Sequence, residues 1–153
     1  MIITYKQLDM LKDEIPYDLL LLADPSQEIV NSYLQKGICY LAYSDNTLIG
    51  EIVLVPTEPS TMEIMNVAVH EDYQGKGIGK QLIHKALEEA AKLGAATVEI
   101  GTGNSSIHQL KLYQQCGFRI SGIDHDFFMR NYDEPIFENG IQCKDMIRLT
   151  IIL

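Results

Sequence analysis

The sequence predicts one mixed α+β domain, a layered α/β arrangement in which helices cover a β-sheet. Three observations predict it: a length of 153 residues, alternating strand-like and helix-like segments, and the lack of a linker or repeat that would divide the chain. A chain of this length forms one ordinary domain and buries about 70 % of its unfolded surface around a single core. We therefore expect a single domain over residues 1–153.

The beginning of the chain alternates between strand and helix. Residues 2–7 have the composition of a short strand, and residues 8–22 are helix-like with an interruption at Pro16. Residues 24–27, Asp-Pro-Ser-Gln, combine an N-cap, a proline at the first helical position and a capping glutamine. This pattern predicts a helix over residues 25–36, which a glycine ends.

A β-meander follows this helix. Strands are predicted at residues 38–43, 47–55 and 61–69. The first two are separated by the Asx-type turn Ser44-Asp45-Asn46, and the last two by a proline-bounded loop.

The hydrophobic period becomes helical at residues 77–93. Apolar residues recur at every fourth position from Ile78 to Ala90, and Gly94 supplies the stop. The last predicted elements are a strand at 96–100, a helix at 105–115, a strand from 118 and a tail at 146–153. The tail is strongly β-forming, and it either closes the sheet or pairs with a second chain in a homodimer.

The charge balance excludes several classes of protein. The chain has 12 Lys and Arg against 21 Asp and Glu, a net charge of −9. An acidic chain repels the phosphate backbone and anionic lipids, so we expect no nucleic-acid partner. The longest uninterrupted apolar run, residues 19–23, is far shorter than the about 18 residues that span a bilayer. The N-terminus lacks the features of a signal peptide, so we expect a cytoplasmic protein and no membrane partner.

The cysteines and histidines point to neither a disulfide framework nor a metal site. Cys39, Cys116 and Cys143 are an odd number of widely spaced thiols, with no CxxC pair and no histidine at metal-binding distance along the chain. We expect reduced thiols, with Cys116 and Cys143 filling core space rather than acting as nucleophiles, and no metal cofactor.

The sharpest local feature is a glycine-rich turn at residues 74–79, Gln-Gly-Lys-Gly-Ile-Gly, between a strand and the long helix. Glycines let backbone amides approach a ligand, and amides at a helix N-terminus cradle phosphate. The pattern alone also suits a merely tight turn. A Rossmann fingerprint is excluded because Lys80 stands where its last glycine would be, and no P-loop is present.

The context of this turn resembles a known family. Gln74, Gly77 and Gly79 form a Gln-x-x-Gly-x-Gly pattern that follows the strand at 63–69 and precedes Leu-Tyr-Gln-Gln-Cys-Gly-Phe at 112–118. Together they resemble the GNAT superfamily of acyl-CoA-dependent N-acetyltransferases over residues 38 to 121. The resemblance implies a mixed, mostly antiparallel central sheet flanked by helices, in which splayed parallel strands bind acyl-CoA.

The resemblance also implies acetyl-CoA as co-substrate and assigns its binding residues. The pantetheine arm would lie along Val67, Ala68 and Val69, and the Val67 amide would act as oxyanion donor for the thioester carbonyl. The CoA pyrophosphate would lie on the turn formed by Gln74, Gly75, Lys76, Gly77, Ile78, Gly79 and Lys80.

The asparagine that contacts CoA in the family has no match at the expected spacing in this sequence. The family has an asparagine seven residues before its tyrosine, whereas Asn104 stands nine before Tyr113 and Ser106 occupies the seven-residue position. We keep both Asn104 and Ser106 as candidate CoA-binding residues; a residue such as Asn104 also suits a turn or helix cap.

Transfer of an acetyl group to an amine needs a base, an oxyanion donor and an acid for the CoA thiolate. By the resemblance, Tyr113 is the candidate acid. Two glutamates are candidate bases: Glu63, eleven residues before Gln74, and Glu99, five before Asn104. A chain of water molecules is the remaining alternative.

The expected function is therefore transfer of an acetyl group from acetyl-CoA to a primary amine by direct attack on the thioester. The variable acceptor-binding loop would fall at residues 126–140. Residues 1–36 and 121–153 each carry six acidic and three basic residues, so a cationic acceptor, either a small molecule or a protein, would be drawn toward them. The alternative is a non-catalytic acyl-CoA-binding sensor or interaction module.

Overall fold

Nine strands and five α-helices alternate along the chain, and the structure, a computed structural model, describes all residues, 1–153. None of the helices is both long and apolar enough to cross a membrane. The elements are β1 (Ile3–Gln7), α1 (Tyr17–Ala23), α2 (Gln27–Leu34), β2 (Ile38–Ser44), β3 (Thr47–Glu58), β4 (Thr61–Val69), α3 (Ile78–Lys92), β5 (Thr97–Gly103), α4 (Ile107–Gln115), β6 (Arg119–Asp124), α5 (Phe127–Asn131), β7 (Ile136–Glu138), β8 (Ile141–Cys143) and β9 (Met146–Ile152).

Seven strands form one mixed sheet in the order β1-β2-β3-β4-β5-β9-β6. Every neighbouring pair is antiparallel except β4 and β5, which are parallel. Helix α3 connects these two strands because parallel neighbours need a crossover connection. The expected mixed, mostly antiparallel sheet flanked by helices is thereby confirmed.

The β-forming tail closes the sheet within the chain. Strand β9 lies between β5 and β6, with Leu149 paired to Ile100 on one side and to Ile120 on the other. Both edges of this strand are therefore paired within the chain, so neither edge is free for a strand of a second chain.

Each face of the sheet has its own apolar core. Successive residues of a strand point to opposite faces, so the central strand β3 contributes Ile52 and Leu54 to one core and Val53 and Val55 to the other. The first core includes buried residues of α3 and α4, and the second includes buried residues of α1 and α2. This is why β3 is apolar without the alternation typical of a strand with one wet face.

A bulge in β4 separates the two parallel strands. Val53 pairs with Asn66 but the next residue, Leu54, pairs with Ile64, so Met65 is an extra residue in β4. An extra residue bends its strand. The pairing between β4 and β5 ends at Ile64, although β4 continues to Val69. Beyond the bulge, the edge of β4 that faces β5 has no strand partner.

The predicted start of α2 needs a correction. Its N-cap is Ser26, whose hydroxyl accepts a hydrogen bond from the Ile29 amide at 3.2 Å, and not Asp24. The residue before a proline is restricted to extended backbone, and Asp24 has φ −141° and ψ 113°. The helix therefore begins beyond Pro25, and the Asp24 side chain is free to point elsewhere. The helix-like segment at 8–22 is likewise helical only over α1.

Three short elements were not predicted: α5 and the hairpin formed by β7 and β8. The hairpin turns at Asn139 and Gly140, which have φ values of 54° and 73°. Asn-Gly between short apolar runs is a strong sequence signal for such a turn. The hairpin could therefore have been anticipated, whereas the one-turn helix α5 has no comparable signal.

Candidate active site

The glycine-rich turn presents a row of free backbone amides. Gly75 and Gly77 have φ values of 77° and 79°, which non-glycine side chains rarely adopt, and a Cβ at either position would meet no atom within 4 Å. The amides of residues 75–80 make no backbone hydrogen bond. Free amides at the N-terminus of the 15-residue helix α3 suit an anionic group such as pyrophosphate.

Gly79 has a different role in this turn. A Cβ there would lie 3.5 Å from Leu112 of α4 and 3.9 Å from Val69. These are ordinary van der Waals distances, so α3 packs against both elements at this point and its N-terminus lies beside the free edge of β4.

A groove of 340 Å³ runs between this turn and the free edge of β4. The Gln74 side-chain amide donates to the Val69 carbonyl at 3.0 Å and ties the turn to the strand. Ten of the predicted cofactor-binding residues line the groove: Val67, Ala68, Val69, Gln74, Gly75, Gly77, Ile78, Gly79, Lys80 and Tyr113. Open glycine positions, free amides and an unpaired strand edge fit the shape and hydrogen-bonding needs of CoA.

Three predicted CoA-binding residues do not line this groove. Lys76 lies over the Tyr73 ring, with its ammonium 5.3 Å from the ring centroid. The Asn104 side chain accepts hydrogen bonds from the amides of Lys144 and Asp145 and donates to Gln142, so it fixes the chain between β8 and β9. The departure from the family spacing therefore coincides with a structural use of Asn104.

Ser106, the other candidate for this CoA contact, also forms a hydrogen bond within the protein. The Ser106 hydroxyl donates to Glu138 Oε1 at 2.8 Å, and the serine is only 6 % exposed. Ser106 thus connects the start of α4 to the hairpin and does not line the groove.

A second cavity, of 390 Å³, adjoins the groove. Its wall comes from the segment between α1 and α2, the ends of β4 and β5, helix α5 and the hairpin. Phe128 and Tyr132 stack on this wall with ring centroids 5.7 Å apart. Five residues line both the groove and this cavity: Leu22, Ala23, Val67, Gln109 and Tyr113.

Tyr113 lies at this junction and stays protonated. It is 5 % exposed, and burial raises its pKa above the usual tyrosine range, with smaller contributions from Cys116 and Glu51. Val67 reaches the same junction from β4, just beyond the bulge. The structure therefore places Val67 and Tyr113 where the two binding spaces meet.

Glu63 and Glu99 lie side by side elsewhere on the sheet. They are paired in the register of β4 and β5, and the Arg148 guanidinium contacts them at 2.9 and 3.1 Å. Neither glutamate lines the groove or the second cavity. A Cβ at Gly101 would lie 2.6 Å from the Met146 sulfur and 3.2 Å from the Arg148 guanidinium, so this glycine makes room for both side chains.

The polar residues of the second cavity carry almost no sequence signal. Asp24, Asn66, Tyr132 and Glu138 line it, whereas the sequence pattern indicates only a capping role for Asp24. The sequence signals are the acidity of the two chain ends and the acceptor-binding loop expected at 126–140, which contains Tyr132 and Glu138. These residues come from separated segments that share no motif, so only folding brings them together.

No group of histidine, cysteine, aspartate and glutamate side chains could hold a metal ion. All three cysteines are free and buried, and burial is the main cause that raises the pKa of the Cys116 and Cys143 thiols. Neither thiol is therefore activated as a nucleophile.

Comparison with known proteins gives a consistent result. The profile of the acetyltransferase (GNAT) family matches residues 8–118. The chain is 64 % identical over 141 residues to the uncharacterized N-acetyltransferase YvbK of Bacillus subtilis, covering 92 % of this chain and 90 % of that protein.

Two crystal structures, one with acetyl-CoA and one with CoA bound, share the fold. A GNAT family acetyltransferase from Elizabethkingia anophelis with acetyl-CoA bound has a TM-score of 0.96 and 50 % identity over 99 % of this chain and 98 % of that one. A Bacillus subtilis acetyltransferase in complex with CoA has a TM-score of 0.93 and 60 % identity over 99 % of both chains. The chain therefore belongs to the acetyltransferase (GNAT) family and is an acyl-CoA-dependent N-acetyltransferase with acetyl-CoA as its co-substrate.

Proposed function

We propose that the enzyme acetylates a primary amine of a small cationic molecule by direct attack of the amine on the thioester. The observation that carries this proposal is the junction at Val67 and Tyr113, where the groove and the second cavity meet. Thioester and amine would enter from opposite sides and meet there. Holding two reactants in this way makes the reaction effectively intramolecular.

The backbone would do most of the binding in the groove. The free amides of residues 75–80 would hold the pyrophosphate, and the free edge of β4 would hydrogen-bond the pantetheine arm. The Val67 amide would donate to the thioester carbonyl oxygen as negative charge develops on it. Acetyl-CoA supplies the activated acetyl group.

Tyr113 would serve as the acid. When the carbon–sulfur bond breaks, its hydroxyl would give its proton to the leaving sulfur, so that CoA departs as a thiol. The phenolate would then regain a proton from the water that accepts the amine proton. Because burial keeps the pKa of Tyr113 high, the proton is present throughout the neutral range. General acid catalysis of this kind contributes typically about 10²- to 10⁴-fold.

A chain of water molecules would remove the proton of the attacking amine. Glu63 and Glu99 are unsuited to this role because Arg148 binds both carboxylates and neither borders the reacting groups. Water reaches the junction through the second cavity, which is polar enough to order it.

The acceptor class follows from the charge and size of the second cavity. Asp24 and Glu138 line it, and no lysine, arginine or histidine does. A cavity of 390 Å³ lies in the range typical of small-molecule sites. We therefore place a small cationic amine there rather than a protein chain.

A cytoplasmic location of the enzyme stays a prediction.

The test is CoA release from acetyl-CoA, followed with a thiol reagent, in the presence of cationic, neutral and anionic primary amines of matched size. We expect turnover with the cationic amines, and mass spectrometry should find one added acetyl group on the amine. A preference for anionic amines would overturn the proposal that the acceptor is cationic. Acetyl-CoA binding without transfer to any amine would instead support the non-catalytic sensor.

A further inference from the structure

Asp24 is a buried carboxylate in the acceptor cavity with no cationic partner. It is 7 % exposed and lies on the extended segment between α1 and α2. Buried charges in proteins are normally paired with an opposite charge. No lysine, arginine or histidine lines this cavity, and the ion pairs of the chain do not include Asp24.

Three neutral donors hold this carboxylate in place. The Tyr132 hydroxyl donates to Oδ1 at 2.9 Å, the Ser26 amide donates to Oδ1 at 3.1 Å, and the Tyr33 hydroxyl donates to Oδ2 at 3.2 Å. Burial and the nearby Asp24 raise the pKa of both tyrosines, so these hydroxyls remain donors. The carboxylate is oriented, but its charge is not neutralised.

Asn66 supplies a second, independent observation. Its side-chain nitrogen donates to the Tyr33 hydroxyl at 2.8 Å and to the Leu20 carbonyl at 3.0 Å. Its Oδ1 atom is buried and has no hydrogen-bond partner, although the residue is only 4 % exposed and lines the same cavity. A buried acceptor without a donor destabilises the protein, and a bound donor would remove this penalty.

Asp24 and Asn66 therefore line one cavity and share the Tyr33 hydroxyl as a hydrogen-bond partner. A ligand that satisfies them must carry several N–H donors and a positive charge, which describes an ammonium group. This ammonium is not the reacting nitrogen, because a nucleophilic amine must be neutral and a carboxylate favours the charged form. Asp24 and Asn66 each lie one residue along the chain from a junction residue, Ala23 and Val67 respectively.

We propose that Asp24 and Asn66 bind a second, non-reacting ammonium group of the acceptor, which is therefore a diamine or a related compound with two basic nitrogens. This inference rests on the proposed function, since it names a feature of the same acceptor. Glu138, the other carboxylate of the cavity, accepts a hydrogen bond from Ser106 and lies on the hairpin.

The test compares a linear diamine with the monoamine of equal chain length, as kcat/KM in the acetyl-transfer assay. We expect the wild-type enzyme to favour the diamine by about 10- to 100-fold, the typical effect of a hydrogen-bonded charge. Asp24→Asn should reduce this preference to about threefold or less, with the KM for acetyl-CoA unchanged within about twofold. Asp18→Asn, the same change at an exposed position of α1, should keep the preference.

If Asp24→Asn folds poorly, Asn66→Ala tests the same proposal independently. It removes the unpartnered oxygen, and we expect the diamine preference to fall about tenfold. Several results would overturn the inference: an equal wild-type rate with both amines, an unchanged preference in Asp24→Asn or in Asn66→Ala, or loss of the preference in Glu138→Gln alone. If the wild-type enzyme acetylates no cationic amine at all, the proposed function itself fails, which the same wild-type assay reveals separately.

Discussion

The groove and the acceptor cavity meet at Tyr113 but are built from different parts of the polypeptide. The groove is mainly backbone: free amides at residues 75–80 and an unpaired strand edge after Ile64. The cavity is mainly side chains drawn from distant segments, such as Asp24 and Tyr132, which are 108 residues apart. Substitutions should therefore affect the groove through backbone conformation and access, and the cavity through charge.

Tyr113→Phe should have the largest effect, because it removes the one hydroxyl that both binding spaces share. We expect the turnover rate to fall about 10²- to 10⁴-fold, with the KM for the amine little changed, because the lost proton donor acts as the thiolate leaves. Steady-state kinetics at neutral pH measure this. Equal rates for the two enzymes would remove Tyr113 from the mechanism.

Gly77→Asp tests the backbone-built groove. A side chain and a negative charge would enter the pyrophosphate site, and we expect affinity for acetyl-CoA to fall about 100-fold in calorimetry. The matched control is Gly94→Asp, since Gly94 also has a positive φ, 89°, and open space for a Cβ, but lies at the far end of α3. Equal losses of affinity in both variants would contradict the assigned site.

The same contrast explains which features could be predicted from sequence. Gly75 and Gly77 need left-handed backbone, and this local constraint leaves a recognisable spacing; the period from Ile78 to Ala90 marks α3 in the same way. By contrast, the cavity depends on contacts between separated segments. Nothing local shows that Tyr132 meets Asp24.

The expected Asp24 cap and the two candidate bases show the same limit of local patterns. Asp24 fits a local N-cap pattern, but Pro25 holds it extended and Ser26 takes that role. Glu63 and Glu99 have the spacing of family bases, yet Arg148, on the last strand, binds both. Local patterns predict what the backbone does, whereas the partner of a side chain depends on the tertiary fold.

Glu51→Gln tests whether the buried carboxyl of Glu51, beneath the groove, is neutral in the folded enzyme. Glu51 lies on β3 opposite Ala68, is fully buried, and neither carboxyl oxygen has a hydrogen-bond partner. Burial raises its pKa well above the usual range, which the Ala68 backbone only partly offsets. In the folded enzyme it is therefore protonated at pH values where the unfolded chain ionises it.

The direction of the pH effect follows from whether Glu51 binds its proton in the folded state and in the unfolded state. Below about pH 4.5 both states bind this proton and there is no penalty. As the pH rises above that value the unfolded state loses the proton first, so the wild-type enzyme loses up to about 1.4 kcal/mol of stability per pH unit until the folded group also ionises. Glu51→Gln lacks this loss. Urea unfolding should show its advantage growing with pH; a constant difference would contradict a buried neutral Glu51.

Glu63→Gln should have the smallest effect, and it tests whether side chains outside the two binding spaces matter for the reaction. The substitution removes a partner of Arg148, whose side chain is 29 % exposed, so we expect a loss of about 1 kcal/mol in the free energy of unfolding. Because Glu63 borders neither binding space, the turnover rate should stay within about threefold of the wild-type value. Glu99→Gln, which leaves the 2.9 Å contact between Glu63 and Arg148 intact, should cost less stability. If turnover instead slows by about 100-fold or more in either variant while stability is kept, that glutamate is the base and replaces the water chain.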